Sequence, residues 1–129
     1  MSAPPSPATA VVTLTIPADA RFLRVARLVA AGLAADADLT VDEIDDLRVA
    51  VDEVGAALLE PEGDATIELE FESGADRLDV RARRGGVTTL PDLHPVSRAL
   101  LDATTDGFDL RLDAGRLLVD AWRRRAPRS

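Results

Sequence analysis

The sequence predicts an α+β protein in which helices pack on one face of a mixed, mainly antiparallel β-sheet, forming a two-layer sandwich. In three segments the apolar residues recur at steps of three and four, which is the period of a helix. In five shorter segments they alternate with other residues, which is the period of a strand. The segments follow one another as strand, helix, helix, hairpin, helix and hairpin, so each hairpin adds two antiparallel strands.

Length and composition fit one compact domain. The chain has 129 residues, of which 47% are hydrophobic and 29% charged, which is enough for a single core. We expect the domain to span residues 10–123, between a disordered tail at residues 1–9, which contains three prolines, and a basic tail at residues 124–129. The chain contains no cysteine, which excludes disulfides and thiolate metal sites and is typical of a reducing compartment.

Charge and hydropathy narrow the range of partners. The formal net charge is -8, and such a surface repels the phosphate backbone, so nucleic acid is not expected as a partner. No apolar run approaches the ~20 residues of a membrane-spanning helix, and the amino terminus lacks the basic and apolar regions of a signal peptide. We therefore expect a cytoplasmic protein that does not bind membranes.

The first strand and the first helix follow one another closely. Alternating apolar residues predict the strand, which ends at Pro17. Asp19 can cap a helix predicted over residues 20–35. The residues of the strand expected to be buried are Val12, Leu14 and Ile16. Those of the helix are Phe22, Val25, Ala26, Val29 and Leu33.

The second helix is predicted over residues 40–60 and has the clearest local signals. Thr40 followed by Glu43 forms a capping box, and the first turn is acidic, which suits the helix dipole. Pro61 and Gly63 end the helix. Its apolar stripe consists of Ile44, Leu47, Val51, Val54 and Leu58.

Three further elements complete the predicted fold. A hairpin pairs residues 67–71 with residues 78–82, with Glu68, Glu70 and Glu72 opposite a largely basic row. A helix over residues 93–105 offers Val96, Leu100 and Leu101 to the core. The last hairpin joins residues 108–112 to residues 116–122. We expect His94 to be a loop residue and Trp122 to pack at the edge of the sheet.

The run EIDDLRVAVDEVGAAL in the second helix resembles a helix of the anti-sigma factor serine kinases that control bacterial stress responses and sporulation. These proteins belong to the GHKL, or histidine kinase-like ATPase, superfamily. The resemblance covers most of the chain in order and length, from about Val11 to Trp122. It implies a histidine kinase-like ATPase fold and a cytoplasmic role in transcription regulation. Family members bind a sigma factor and a STAS-type anti-anti-sigma protein, and they commonly form homodimers.

The resemblance also identifies nucleotide-site positions. The family helix reads approximately E-x-x-x-N-A, with Glu as general base and Asn as magnesium ligand; Glu53 matches the Glu and Ala57 takes the place of the Asn. The family's D-x-G-x-G motif falls on Arg84, with Gly85 or Gly86 as a remnant glycine. A methyl group cannot bind magnesium, and arginine cannot accept a hydrogen bond from adenine. No glycine-rich lid lies between Gly86 and Leu100. We therefore expect a degenerate site that binds neither ATP nor magnesium.

Three arginines line one side of the first helix: Arg21, Arg24 and Arg27. They can form a solvated surface or a partner-binding face, since the planar guanidinium is favoured at interfaces. In the family an arginine of the first helix, close to a phenylalanine, contacts both protein partners. The segment Phe22-Leu23-Arg24-Val25 matches, so Arg24 is the first candidate for this role and Arg27 a weaker one.

In the hairpin, Arg81, Arg83 and Arg84 can pair across the sheet or bind phosphate, and pairing across the sheet is the preferred interpretation.

Three functions follow from these observations. The first is an anti-sigma regulatory factor that sequesters a sigma factor and is released by an anti-anti-sigma protein without ATP hydrolysis. The second is an active serine-protein kinase of the same family, which uses ATP and magnesium to phosphorylate the anti-anti-sigma protein. The third is a homodimeric structural domain. Loss of the nucleotide-site residues speaks against the second function, and retention of Arg24 speaks against the third. In the first function, Glu53 is only a solvated helix residue.

Overall fold

The computed structural model describes residues 10–61 and 63–125. The tail predicted at residues 1–9 and the last four residues of the basic tail lie outside this part of the chain. The strands are β1 (Ala10–Pro17), β2 (Thr66–Ser73), β3 (Arg77–Arg84), β4 (Gly107–Asp113) and β5 (Arg116–Arg124). The helices are α1 (Leu23–Asp36), α2 (Val41–Leu59) and α3 (Pro95–Thr104), and a 3-10 turn at Ala20–Phe22 precedes α1. The protein is thus of the α+β class.

The five strands form one sheet in the order β1-β2-β3-β5-β4. All four pairings are antiparallel, whereas the sequence predicts a mixed sheet. The reason is that β5 lies between β3 and β4. These two strands run in the same direction, but they do not pair with each other.

The sheet buries alternate residues, as the strand period predicts. Helix α1 contacts β2, α2 contacts β3 and β5, and α3 contacts β4. The buried row of the three inner strands is almost entirely apolar and is at most 5% exposed: Ile67, Leu69, Phe71, Leu78, Val80, Ala82, Leu117, Val119 and Ala121. This row and the buried residues of the helices form the core.

Helix α2 matches its prediction closely. The Thr40 hydroxyl accepts a hydrogen bond from the backbone N–H of Glu43, and the Glu43 carboxylate accepts one from the backbone N–H of Thr40. The capping box is therefore confirmed, and such caps stabilise a helix by about 1 kcal/mol. Four residues of the predicted stripe are buried and Ile44 is half-buried.

The predicted stripe of α1 is wrong at Val25, which is 37% exposed. The buried residues are Leu23, Ala26, Ala30 and Ala34. Small alanine side chains let α1 approach α2 closely, so the helix is rotated to bring them inward and the larger Val25 turns outward. At its start α1 fits against Gly55 of α2, where an added methyl group would lie 2.5 Å from the Leu23 side chain.

Helix α3 also buries fewer residues than predicted. Leu101 is fully buried, but Val96 is 59% and Leu100 is 37% exposed. The helix starts at Pro95, and the His94 ring accepts a hydrogen bond from the backbone N–H of Val96. His94 therefore lies in the loop before α3, as predicted, and its side chain also caps the helix. Helix α3 packs against α2 and β4, and its buried residues, Leu101 and Thr104, lie on one side of the helix.

The carboxyl-terminal strand continues past the predicted end of the domain, to Arg124. Arg125 donates hydrogen bonds to the carbonyl oxygens of Gly74 and Ala37, at 2.9 and 2.7 Å. Arg125 therefore links the end of the strand to the β2-β3 turn and to the end of α1.

Trp122 lies on β5, an interior strand, and its ring covers Gly107 on the edge strand β4.

Candidate functional site

The two α2 residues of the predicted nucleotide site lie one turn apart and differ in environment. Ala57 is 5% exposed and is part of the core, so its methyl group packs against apolar neighbours. Glu53 is partly exposed. Within residues 10–61 and 63–125 its carboxylate has no hydrogen bond or salt bridge. The pair therefore presents one free carboxylate and one buried methyl group.

Arg84 is the most constrained of the predicted site residues. It is 3% exposed and lies on the buried face of β3, in phase with Val80 and Ala82. Its Nη1 atom donates to the carbonyl oxygens of Leu58 and Pro61, at 2.9 and 2.7 Å. Longer hydrogen bonds reach the carbonyl oxygens of Gly63 and Gly85, at 3.3 and 3.4 Å.

These contacts give the Arg84 side chain a structural role at the end of α2. The last carbonyl groups of a helix have no partner within the helix and carry the negative end of its dipole. The Arg84 guanidinium satisfies carbonyl groups at and just beyond the end of α2 and neutralises that dipole. A buried guanidinium already bonded to protein carbonyls is not available to a phosphate. Alternation along β3 is the signal that could have revealed this position, since residue 84 continues the buried row.

The position aligned with the remnant glycine, Gly86, lies at the surface with φ of 71°. It borders a cleft of about 290 Å³ between the end of α2 and residues 86–91. The lining residues are Glu60, Pro61, Gly86, Val87, Thr88, Thr89, Leu90 and Pro91. Glu53, Ala57 and Arg84 do not line it. Of the four predicted nucleotide-site residues, this cleft therefore has only Gly86 in its lining.

The other arginines of the hairpin pair across the sheet, as predicted. Arg83 forms a salt bridge with Glu68, its cross-strand neighbour. Arg81 lies 2.8 Å from Glu72 and 3.3 Å from Glu70. These pairs lie on the face of the sheet opposite the core. Their charges are balanced, so they provide no concentrated phosphate site.

The three arginines near α1 differ in what they contact. Arg21 donates to the Asp19 carboxylate, with a salt bridge of 2.9 Å, and this hydrogen bonding lowers the pKa of Asp19. Arg27 forms a 2.7 Å salt bridge with Asp52 of α2. Arg24 is exposed, and the described part of the chain gives it no hydrogen bond or salt bridge. Of the three, Arg24 is the one whose guanidinium remains available to another molecule.

Two exposed apolar residues lie close to Arg24 along α1. Leu28 is 66% exposed and Val25 is 37% exposed. The sequence pattern missed this patch, because Val25 was predicted to be in the core and Leu28 was assigned no role. The available guanidinium makes this a surface that can contact another protein, since arginine is enriched at protein interfaces.

Two further observations concern metal ions and membranes. Within the described residues, no group of three His, Cys, Asp or Glu side chains is placed to hold a metal ion. None of the described helices is long and apolar enough to cross a membrane.

No protein-family model and no curated protein sequence matches the chain.

Proposed function

We propose that this protein is a regulator of the anti-sigma type, which binds a sigma factor, an anti-anti-sigma protein or both, without hydrolysing ATP. The observation that carries the proposal is the exposed Arg24 on α1, beside Leu28 and Val25. The proposal includes a two-layer histidine kinase-like fold. The order of the strands and helices along the chain supports this fold.

The environments of Ala57 and Arg84 support the non-enzymatic form of the proposal. One is a core methyl group and the other a buried guanidinium bonded to the end of α2. Neither supplies an oxygen ligand for magnesium or an acceptor for the adenine amino group. Binding of one protein surface by another needs no proton transfer, so the free carboxylate of Glu53 has no required role.

Arg24→Glu is expected to weaken partner capture at least ten-fold while leaving the fold intact. The side chain is exposed, so charge reversal changes the free energy of unfolding by only about 0.5 kcal/mol. The measurement is capture of each sigma factor and each STAS-type protein encoded in the same genome, followed by titration of whichever binds. Arg116→Glu is the matched control, because Arg116 is also exposed but lies on β5. Equal capture by the two variants would contradict the assignment of α1.

Calorimetric titration with ATP and magnesium is expected to give no binding heat. Thermal unfolding should also be unchanged, because a ligand held by the folded state at 100 times its dissociation constant would add about 2.7 kcal/mol of stability. An ADP titration serves as the second arm. Saturable nucleotide binding would contradict the non-enzymatic form of the proposal and favour the serine-protein kinase. In that case Glu53→Ala, which should not affect capture, would be tested for loss of phosphoryl transfer.

A further inference from the structure

A second cleft, which we call the β4 cleft, lies at the edge of the sheet. The edge strand β4, helix α3 and the loop before α3 form its walls, and its volume is about 270 Å³. This volume is just below the range of about 300–1,000 Å³ that is typical of ligand pockets. Apolar side chains line the cleft together with three charged ones, and Arg24 is not among them. The β4 cleft therefore suits a small ligand that is both apolar and charged.

Arg98 of α3 supplies the positive charge of the β4 cleft. Its Cζ atom lies 5.5 Å from the centre of the Phe108 ring, so the face of the ring attracts the guanidinium. This contact uses none of the N–H donors, and the described part of the chain gives them no hydrogen bond or salt bridge. A planar guanidinium can bind a carboxylate with two parallel hydrogen bonds. The cleft therefore offers an open site for a carboxylate.

Two carboxylates line the same cleft, and only one of them is neutralised. Asp109 lies 3.1 Å from Arg111. Asp92 is exposed, and among the described residues it has no salt bridge, not even with Arg98, although both line the β4 cleft. A simple anion bound at Arg98 would be repelled by the Asp92 carboxylate. A ligand that carries an ammonium group beside its carboxylate would complement both side chains.

Aliphatic residues form most of the remaining lining. Leu90 is 45% exposed, and Leu93 and Leu110 are half-buried. Leu90 and Pro91 also line the cleft at Gly86. An apolar lining with a few convergent polar groups is the usual composition of a small-molecule site. Because covering Leu90 would remove apolar surface from water, the β4 cleft favours a ligand with an aliphatic side chain.

We propose that the β4 cleft binds a free amino acid with an aliphatic side chain, such as leucine. The α-carboxylate accepts hydrogen bonds from Arg98, the α-ammonium group donates to Asp92, and the side chain packs on Leu90. Both charged groups of an amino acid are attached to one carbon atom, which suits two opposite charges within one small cleft. Arg98 and Asp92 are exposed, so the dissociation constant is expected to be on the order of 1 mM.

This inference goes beyond the proposed function and does not depend on it, because α1 takes no part in the β4 cleft. Amino-acid binding can be measured on the purified chain alone, which keeps its failure distinct from a failure of partner capture.

The test is a titration of the isotopically labelled full chain with leucine, followed through its backbone amide NMR signals. The series extends to about 10 mM, ten times a dissociation constant on the order of 1 mM. Saturable shifts are expected at residues 90–93, 98 and 108–110. Leucinamide lacks the carboxylate, N-acetyl-leucine lacks the ammonium charge and glycine lacks the side chain. Each of these three compounds should bind about ten-fold more weakly than leucine.

Substitutions of the two charged residues test their assigned contacts. Arg98→Gln and Asp92→Asn should each weaken leucine binding about ten-fold. The matched controls, Arg116→Gln and Asp102→Asn, remove exposed charges that do not line the β4 cleft and should leave binding unchanged. All four positions are exposed, so thermal unfolding should stay close to that of the wild type. This second measurement separates loss of the site from loss of the fold.

Three results would overturn the proposal. The first is the absence of saturable shifts with leucine, isoleucine and valine. The second is equal binding of leucine and leucinamide, because a bound carboxylate would then contribute nothing. The third is leucine binding that is unchanged in both Arg98→Gln and Asp92→Asn, since the ligand would then lie outside the β4 cleft.

Discussion

Arg84→Ala is expected to lower the free energy of unfolding by about 3 kcal/mol, and the melting temperature by about 10 °C. The substitution removes a guanidinium that is 3% exposed and leaves the carbonyl groups of Leu58 and Pro61 without their donor. The Leu58 carbonyl is buried and the Pro61 carbonyl is partly buried, so water cannot fully replace the lost donor, and the cost exceeds that of one ordinary hydrogen bond. Urea unfolding followed by circular dichroism measures the effect.

Two variants make this experiment specific. Arg83→Ala removes the neighbouring arginine, whose salt bridge with Glu68 is exposed, and should cost less than about 1 kcal/mol. Arg84→Lys keeps a positive charge but cannot span several carbonyl groups with a planar fork of donors, so an intermediate loss is expected. If Arg84→Ala were no more damaging than Arg83→Ala, the guanidinium would not be what holds the end of α2.

Gly107→Ala is expected to lower the free energy of unfolding by about 2–3 kcal/mol. A Cβ atom on residue 107 would lie within 2.8 Å of three carbon atoms of the Trp122 indole. A rigid ring cannot bend away as the end of a leucine side chain can, so the whole indole must be displaced. Its guanidinium contact with Arg77, whose Cζ atom lies 5.6 Å from the ring centre, would be disturbed as well.

The control and the rescue for Gly107 follow from the same geometry. Gly85→Ala adds a methyl group where no atom lies within 4 Å, and it should change the stability by less than about 0.5 kcal/mol. In a Trp122→Leu background the clash is relieved, so Gly107→Ala should cost much less there than in the wild type. Additive costs in the double variant would show that the loss arises from the strand backbone rather than from the indole.

The functional proposal assigns different roles to three arginines that look alike in the sequence. Arg24 is available to solvent, Arg27 is tied to Asp52 in the neighbouring helix, and Arg84 is buried against the end of α2. Of these three, the proposal assigns the partner contact to Arg24. Neutralising Arg27 should therefore act through the α1-α2 contact, whereas reversing Arg24 should act on association alone.

Features that depend on residues close together in the chain could be predicted from the amino-acid sequence. The capping box of α2, its apolar stripe and the charge pairing of β2 with β3 were all predicted, because each rests on residues a few positions apart or on a short hairpin. Local hydrogen bonds and a hydrophobic period need no knowledge of distant elements. The α+β class follows from the same periods.

Contacts between distant segments, in contrast, set which side of α1 is covered and what the Arg84 side chain bonds to. Both sides of α1 carry apolar residues. Close packing of its alanines against α2 turned Val25 and Leu28 outward, although they are larger. Arg84 can bond the carbonyl groups at the end of α2 because that end, more than twenty residues earlier in the chain, lies beside the end of β3. The insertion of β5 between β3 and β4, which makes the sheet antiparallel throughout, is likewise a pairing between distant segments that no local pattern specifies.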